Sequence, residues 1–195
     1  VTAEAAKAAQ ERQPAEGHQT VQGQQTTKDS AFVIRDAADS DLQAITDIYN
    51  EAVIAGGSTA DLEPRTLEQR REWVESHTPR TDYPVVVIED ESGRVAGFGS
   101  LSHFHPRKAY DGVVELSYYI ASDAQHHGYG TAMVKWLLGA ARQRSCRMAT
   151  ALIFADNAGS VALMRRFGFT RFGFLPQACY DGKRYIDMSY WYKEL

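Results

Sequence analysis

Residues 113 to 154 run as an apolar strand, a turn carrying two glycines, an amphipathic helix and a second apolar strand, and this succession constrains the fold more than any other stretch. The first strand reads from Val113 to Ile120 and the second from Met148 to Phe154. Between them a helix is expected from about Gly128 to Arg144, with Met133, Trp136, Leu137 and Ala140 inward. A strand, a helix and a strand in about 40 residues have the size of a crossover unit, so the two strands should be parallel and connected right-handedly.

The flanks supply the rest of an α/β (α+β) domain. Phe32 and Ile34 alternate as a short strand, and Ser40 with Gln43 reads as a capping box opening a helix. Its apolar face is Leu42, Ile45, Tyr49, Ala52 and Val53, and Gly56–Gly57 ends it. A second helix is expected over about Thr66 to His77. Strands Val85–Glu89 and Val95–Leu101 enclose Asp90 to Gly93, which is hairpin-turn chemistry. Downstream, a helix from Asn157 to Phe167 is stopped by Gly168, and two aromatic-rich strands follow, about Phe169 to Leu175 and Arg184 to Tyr192. Residues 1–30 carry almost no branched or aromatic side chains, so they are expected to form a disordered polar tail ahead of a domain over residues 31–195.

Composition narrows the partners. A net charge of -4 argues against nucleic acid as the main ligand, because phosphate-backbone binding needs a basic face. Cys146 and Cys179 have no paired spacing, so neither a disulfide framework nor a zinc site is read from them. No apolar run approaches the roughly 18 residues of a membrane span. These features lead us to expect a cytoplasmic protein that binds no metal, membrane or nucleic acid.

The turn at Gln125, His126, His127, Gly128, Tyr129 and Gly130 opens a helix. A helix start offers unpaired N–H groups and about half a positive charge, and glycines let a phosphate approach the backbone. The stretch lacks the third glycine of a dinucleotide fingerprint and the Gly-Lys-Ser/Thr ending of a P-loop, so NAD and ATP lose support. A pair of glycines also simply makes a tight turn.

With this loop between strand and helix, and Asn157 followed by a helix and Gly168–Phe169, the sequence resembles the GNAT superfamily of N-acetyltransferases from about Phe32 to Leu195. Within it the chain is similar to the phosphinothricin N-acetyltransferase and L-amino acid N-acyltransferase group through IYNEAV (Ile48–Val53), LEQRREW (Leu67–Trp73), RKAY (Arg107–Tyr110), VELSYYI (Val114–Ile120) and ADNAGS (Ala155–Ser160). The resemblance implies a mixed sheet of six to seven strands with the fourth and fifth parallel and splayed, flanked by about four helices. It implies acetyl-CoA as cosubstrate and a small-molecule amine as acceptor, the α-amine of an amino acid or analogue such as phosphinothricin or methionine sulfoximine. It also implies a homodimer paired through the C-terminal region, where Tyr190, Trp191 and Tyr192 would offer apolar surface.

Residue by residue, the resemblance places acetyl-CoA against Gln125, His126, His127, Gly128, Tyr129, Gly130 and Thr131, the backbones of Tyr119 and Ile120, and Asn157 and Ser160. Glu115 is the expected base, although a glutamate on an alternating strand also reads as a solvent-facing one. Because an α-amine with a pKa near 8 is already about a tenth neutral at pH 7, a modest base suffices. Arg70 would fork onto the acceptor's carboxylate or be a solvated helix arginine. Phe104, His105, Tyr110, Leu116, Ser117 and Tyr118 are expected to shape the acceptor pocket.

The sequence departs from the family at Met164, where a tyrosine or histidine serves as proton donor. A thioether cannot donate a proton, so Tyr119, water or unassisted thiolate departure remains. Other readings stay open: a metal half-site at His103-x-His105; a protein N-terminal, polyamine or aminoglycoside acceptor, with Asp61, Glu63 and Glu68 near Arg70; or an acyl-CoA-binding sensor that does not turn over.

Overall fold

A computed structural model describes residues 32–195, so the expected tail at residues 1–30 lies outside the described residues. Seven strands form one mixed sheet in the order β1-β2-β3-β4-β5-β7-β6. They are β1 Phe32–Asp36, β2 Val85–Asp90, β3 Val95–His103, β4 Val113–Ile120, β5 Met148–Phe154, β6 Thr170–Tyr180 and β7 Tyr185–Glu194. Four helices flank them: α1 Leu42–Ala55, α2 Leu67–Ser76, α3 Tyr129–Gln143 and α4 Ala158–Arg166. Among the described residues, no helix is long and apolar enough to cross a membrane.

Every sheet contact is antiparallel except β4 with β5. That parallel pairing runs only from Val113↔Met148 to Glu115↔Thr150, whereas β4 stays paired with β3 as far as Ile120. Beyond Thr150, β5 pairs with β7 alone, so β4 and β5 are parallel, as the crossover unit predicts, and splay, as the family resemblance implies.

Side chains alternate across the sheet. Val114, Leu116 and Leu101 join Met133, Val134, Leu137 and Leu138 of α3 and Met164 of α4 in one core layer. On the opposite side Phe98 and Val87 pack with Ile45 and Ile48 of α1. Covered on both faces, β2 is apolar throughout Val85–Ile88 and each of those residues is 0% exposed. Gly99 lets α3 sit close to β3, because a Cβ there would lie 2.8 Å from the Met133 sulfur.

Two local expectations are corrected. Ser40 does not cap α1. A short 3-10 turn over Asp39–Asp41 leads into the helix, and the Asp41 carboxylate accepts from the Ala38 N–H while pairing with Arg35. At the second helix Thr66 caps α2, with Gln69 completing the reciprocal box. Trp191 also offers no surface: it is 4% exposed, and its indole N–H donates to Ser189 Oγ.

Candidate active site

The splay opens into a cleft of about 590 Å³. One wall is Gln125, His126, Gly128, Gly130 and Thr131, and the other is the end of α1 with Gly56, Gly57 and Ser58; Asn157, Ser160 and Leu163 of α4 border it. The turn is shaped by left-handed backbone at His126 (φ 66°) and Gly128 (φ 87°). This aims the start of α3 into the cleft. The first intrahelical bond there is from Ala132 N–H to the Gly128 carbonyl, so the amides of Tyr129, Gly130 and Thr131 have no acceptor within the helix. Gly130 keeps the wall thin, since a Cβ there would lie 3.3 Å from Leu163. Open amides, a helix start and a glycine-lined wall suit a pyrophosphate.

Asn157 uses both ends of its amide. Its oxygen accepts from the Ser160 N–H, capping α4, and its nitrogen donates to the Gly57 carbonyl across the cleft. The Tyr118 hydroxyl donates to Ser160 Oγ at 3.2 Å. The side chain of Tyr118 therefore faces α4 and this cleft, whereas the sequence expectation grouped it with the acceptor pocket.

Glu115, Ser117 and Tyr119 project from the other face of β4. Their cross-strand neighbours on β3 are Ser102, Ser100 and Phe98, and the Ser100 and Ser117 hydroxyls lie 3.1 Å apart. Glu115 is half-buried and forms no ion pair among the described residues. Burial alone pushes its carboxyl above the usual carboxylate range.

Arg70 lies on this same side, and it is 4% exposed rather than a solvated helix arginine. Its guanidinium carbon sits 3.9 Å from the Tyr49 ring centroid and 4.8 Å from that of Trp73. Its Nε has no hydrogen-bond partner, and no carboxylate pairs with it among the described residues. Tyr49 packs edge-on to Tyr119, which stacks on Phe98. Burial and the neighbouring Tyr49 hold the Tyr119 phenol well above the ordinary tyrosine range.

The remaining expected residues are distributed as follows. Leu116 is buried in the α3 layer, and Met164 is 0% exposed in that same core. Phe104, His105 and Tyr110 form a separate aromatic group on the β3–β4 connection, the His105 ring 4.5 Å from Tyr110. His103 instead stacks on Tyr83, and among the described residues no group of three or more His, Cys, Asp or Glu is placed to hold a metal. Sequence reasoning missed Trp73, Phe98, Ser100 and the Gly56–Ser58 wall, and read Tyr49 only as part of a core stripe.

The sequence matches the Acetyltransferase (GNAT) domain over residues 34–190. It is 35% identical over 159 residues to an L-methionine sulfoximine/L-methionine sulfone acetyltransferase of Pseudomonas aeruginosa, covering 80% of this chain and 91% of that one. A GNAT superfamily phosphinothricin acetyltransferase from Sinorhizobium meliloti, solved in complex with acetyl-CoA, has a TM-score of 0.81 at 31% identity, covering 85% of this chain and 89% of that one. A ribosomal-protein-alanine N-acetyltransferase from Brucella melitensis has a TM-score of 0.78 at 36% identity, covering 83% and 99%.

Proposed function

The chain belongs to the GNAT acetyltransferase family, and from that premise we propose that it transfers acetyl from acetyl-CoA to the α-amine of a small amino acid or amino-acid analogue. The observation that carries the acceptor reading is two charges without counter-ions on one face of the sheet, the buried Arg70 and the half-buried Glu115. A buried guanidinium held by π faces leaves its hydrogen-bond donors for a carboxylate, and a half-buried carboxylate without a counter-ion suits an ammonium or the proton it loses. Together they complement a zwitterion. The relative that acts on methionine sulfoximine and sulfone supports the same class.

In this reading acetyl-CoA supplies the thioester. The open amides of Tyr129, Gly130 and Thr131 hold its pyrophosphate, Asn157 and Ser160 border its pantetheine arm, and the free edge of β4 at Tyr119 and Ile120 faces that arm. Glu115 accepts the amine's proton, directly or through water. Direct transfer between two bound reactants draws on effective molarities of about 10⁵ to 10⁸ M, so no enzyme nucleophile is required. A phenol held as firmly as that of Tyr119 protonates a thiolate, whose thiol lies near 8.5, only uphill. The role of Tyr119 therefore rests on its backbone and its packing.

A polyamine acceptor is less well supported, since Asp61 is taken up by Arg65 and Tyr49 while Glu63 and Glu68 are exposed. A protein N-terminus is the second reading, favoured by the similarity to a ribosomal-protein-alanine N-acetyltransferase. For the assembly we infer a homodimer through the C-terminal strands, where Phe172 and Phe174 of β6 are 54% and 49% exposed.

Free-thiol release with acetyl-CoA and a panel of amino acids, analogues, polyamines and alanine-ended peptides tests the proposal. L-Methionine sulfoximine or sulfone should turn over, and Arg70→Ala should raise the acceptor KM by roughly 30-fold or more, an effect of about 2 kcal/mol. Turnover unchanged by Arg70→Ala would overturn the carboxylate assignment. Preference for alanine-ended peptides would favour the second reading, and acetyl-CoA binding without thiol release a sensor.

A further inference from the structure

We propose that Tyr49, held by Asp61 and Thr59, is a positioning residue that keeps Arg70 free for the acceptor's carboxylate; this rests on the zwitterion reading of the pocket. A buried arginine ordinarily pairs with an acid, and an acid is close at hand. Asp61 is near enough to act electrostatically on Arg70, yet its oxygens are otherwise engaged. Arg65 binds both of them, and the Tyr49 hydroxyl donates to Oδ2 at 2.6 Å.

Tyr49 thus contacts the guanidinium and the carboxylate at opposite ends of one side chain. Its ring lies 3.9 Å beneath the guanidinium carbon of Arg70, and its hydroxyl occupies Asp61. With its proton committed to Asp61, the phenol oxygen accepts from Thr59, 2.8 Å away. Burial and Asp61 push the Tyr49 phenol upward, so it remains a donor. Arg65 holds Asp61 below the usual carboxylate range, so Asp61 stays an anion that Arg70 would seek if the phenol let go.

The edges of the ring are fixed as well. Tyr119 meets Tyr49 edge-on with centroids 5.0 Å apart, and Trp73, the second ring under Arg70, packs edge-on against Phe98 at 5.9 Å. The cation therefore rests on a rigid aromatic shelf, where the attraction of the π faces does not consume the hydrogen-bonding edge of the guanidinium. The arrangement favours an acceptor with a planar carboxylate beside its amine.

The test uses L-methionine sulfone and its primary carboxamide, which keeps the α-amine and loses the negative charge. Tyr49→Phe should raise the KM for the sulfone about five- to tenfold, leave kcat and the acetyl-CoA KM within about twofold, and leave the carboxamide kinetics unchanged. The double variant Tyr49→Phe/Asp61→Asn should restore the sulfone KM toward wild type, because no anion remains to capture Arg70. An equal loss on both acceptors, no loss at all, or no rescue would overturn the proposal. Arg70→Ala separates the two levels. If it spares sulfone over carboxamide selectivity, the zwitterion reading fails; if it abolishes that selectivity while Tyr49→Phe does not affect it, only the role of Tyr49 fails.

Discussion

The cleft proposed for acetyl-CoA and the pocket proposed for the acceptor share β4 but are made of different materials. The cleft is mostly backbone: helix-start amides, left-handed turns and the strand edge released where β4 leaves β5. The pocket is mostly side chains drawn from distant segments, Tyr49 on α1, Asp61 in the following loop, Arg70 and Trp73 on α2, and Ser117 and Glu115 on β4. On the proposed function, backbone chemistry recognises a feature common to every turnover, the pyrophosphate, whereas side chains distinguish one amine from another. The donor site can therefore stay constant while the acceptor site varies.

The contrast can be broken most strongly at Glu115. Replacing Glu115 with Gln should lower kcat about 100-fold or more, within the range of general-base contributions, without weakening acetyl-CoA binding. For a base the carboxylate form is the active one, and burial raises the Glu115 pKa. Wild-type kcat/KM should therefore rise with pH through a limb lying above the ordinary glutamate value, and the Gln variant should lack that limb. Loss of acetyl-CoA affinity instead would mean that the two sites are not separate in function.

A smaller effect is expected on the cleft side. Gly128→Val places a β-branched residue at φ 87° with nothing within 4 Å of the new Cβ, so the penalty is backbone strain rather than a clash. At about 1–3 kcal/mol, roughly tenfold weaker acetyl-CoA binding by calorimetry is expected, with acceptor selectivity unchanged. The smallest effect sharpens the boundary between the sites. Tyr118→Phe removes one 3.2 Å contact to Ser160, and should raise the acetyl-CoA KM two- to threefold. A change in acceptor KM instead would return Tyr118 to the acceptor pocket.

The same division explains what could be read from the sequence. Gln125 to Gly130 is contiguous, and glycine spacing at a strand-to-helix junction marks it, so both the crossover unit and the loop that opens α3 were legible. Arg70 could be named only through the family resemblance, because Gln69, Arg70 and Arg71 follow one another on a polar helix and only packing against Tyr49 and Trp73 decides which arginine is buried. Tyr49 fitted an apolar helical stripe, and its hydroxyl gains meaning only from Asp61, twelve residues away. Strand alternation puts Glu115, Ser117 and Tyr119 on one face of β4, a pattern the sequence reading did not use. It equally required Leu116 and Tyr118 to turn away, which family resemblance alone did not make plain. Gly56 and Gly57 were legible as a helix stop, but not as the opposite wall of the cleft.

The early end of the β4–β5 ladder also bears on folding. A sheet parted down its middle carries two internal edges whose amides and carbonyls must be satisfied by water, and that is where hydrogen exchange should be fastest within an otherwise protected core. A ligand lying along those edges acts as a missing strand. Each molecule bound to the native state alone draws the folding equilibrium toward it, by about 2.7 kcal/mol at a hundredfold excess over Kd. On the proposed function the cosubstrate is thus a structural member as well as a reagent, and the lifetime of the folded protein should follow the acetyl-CoA supply.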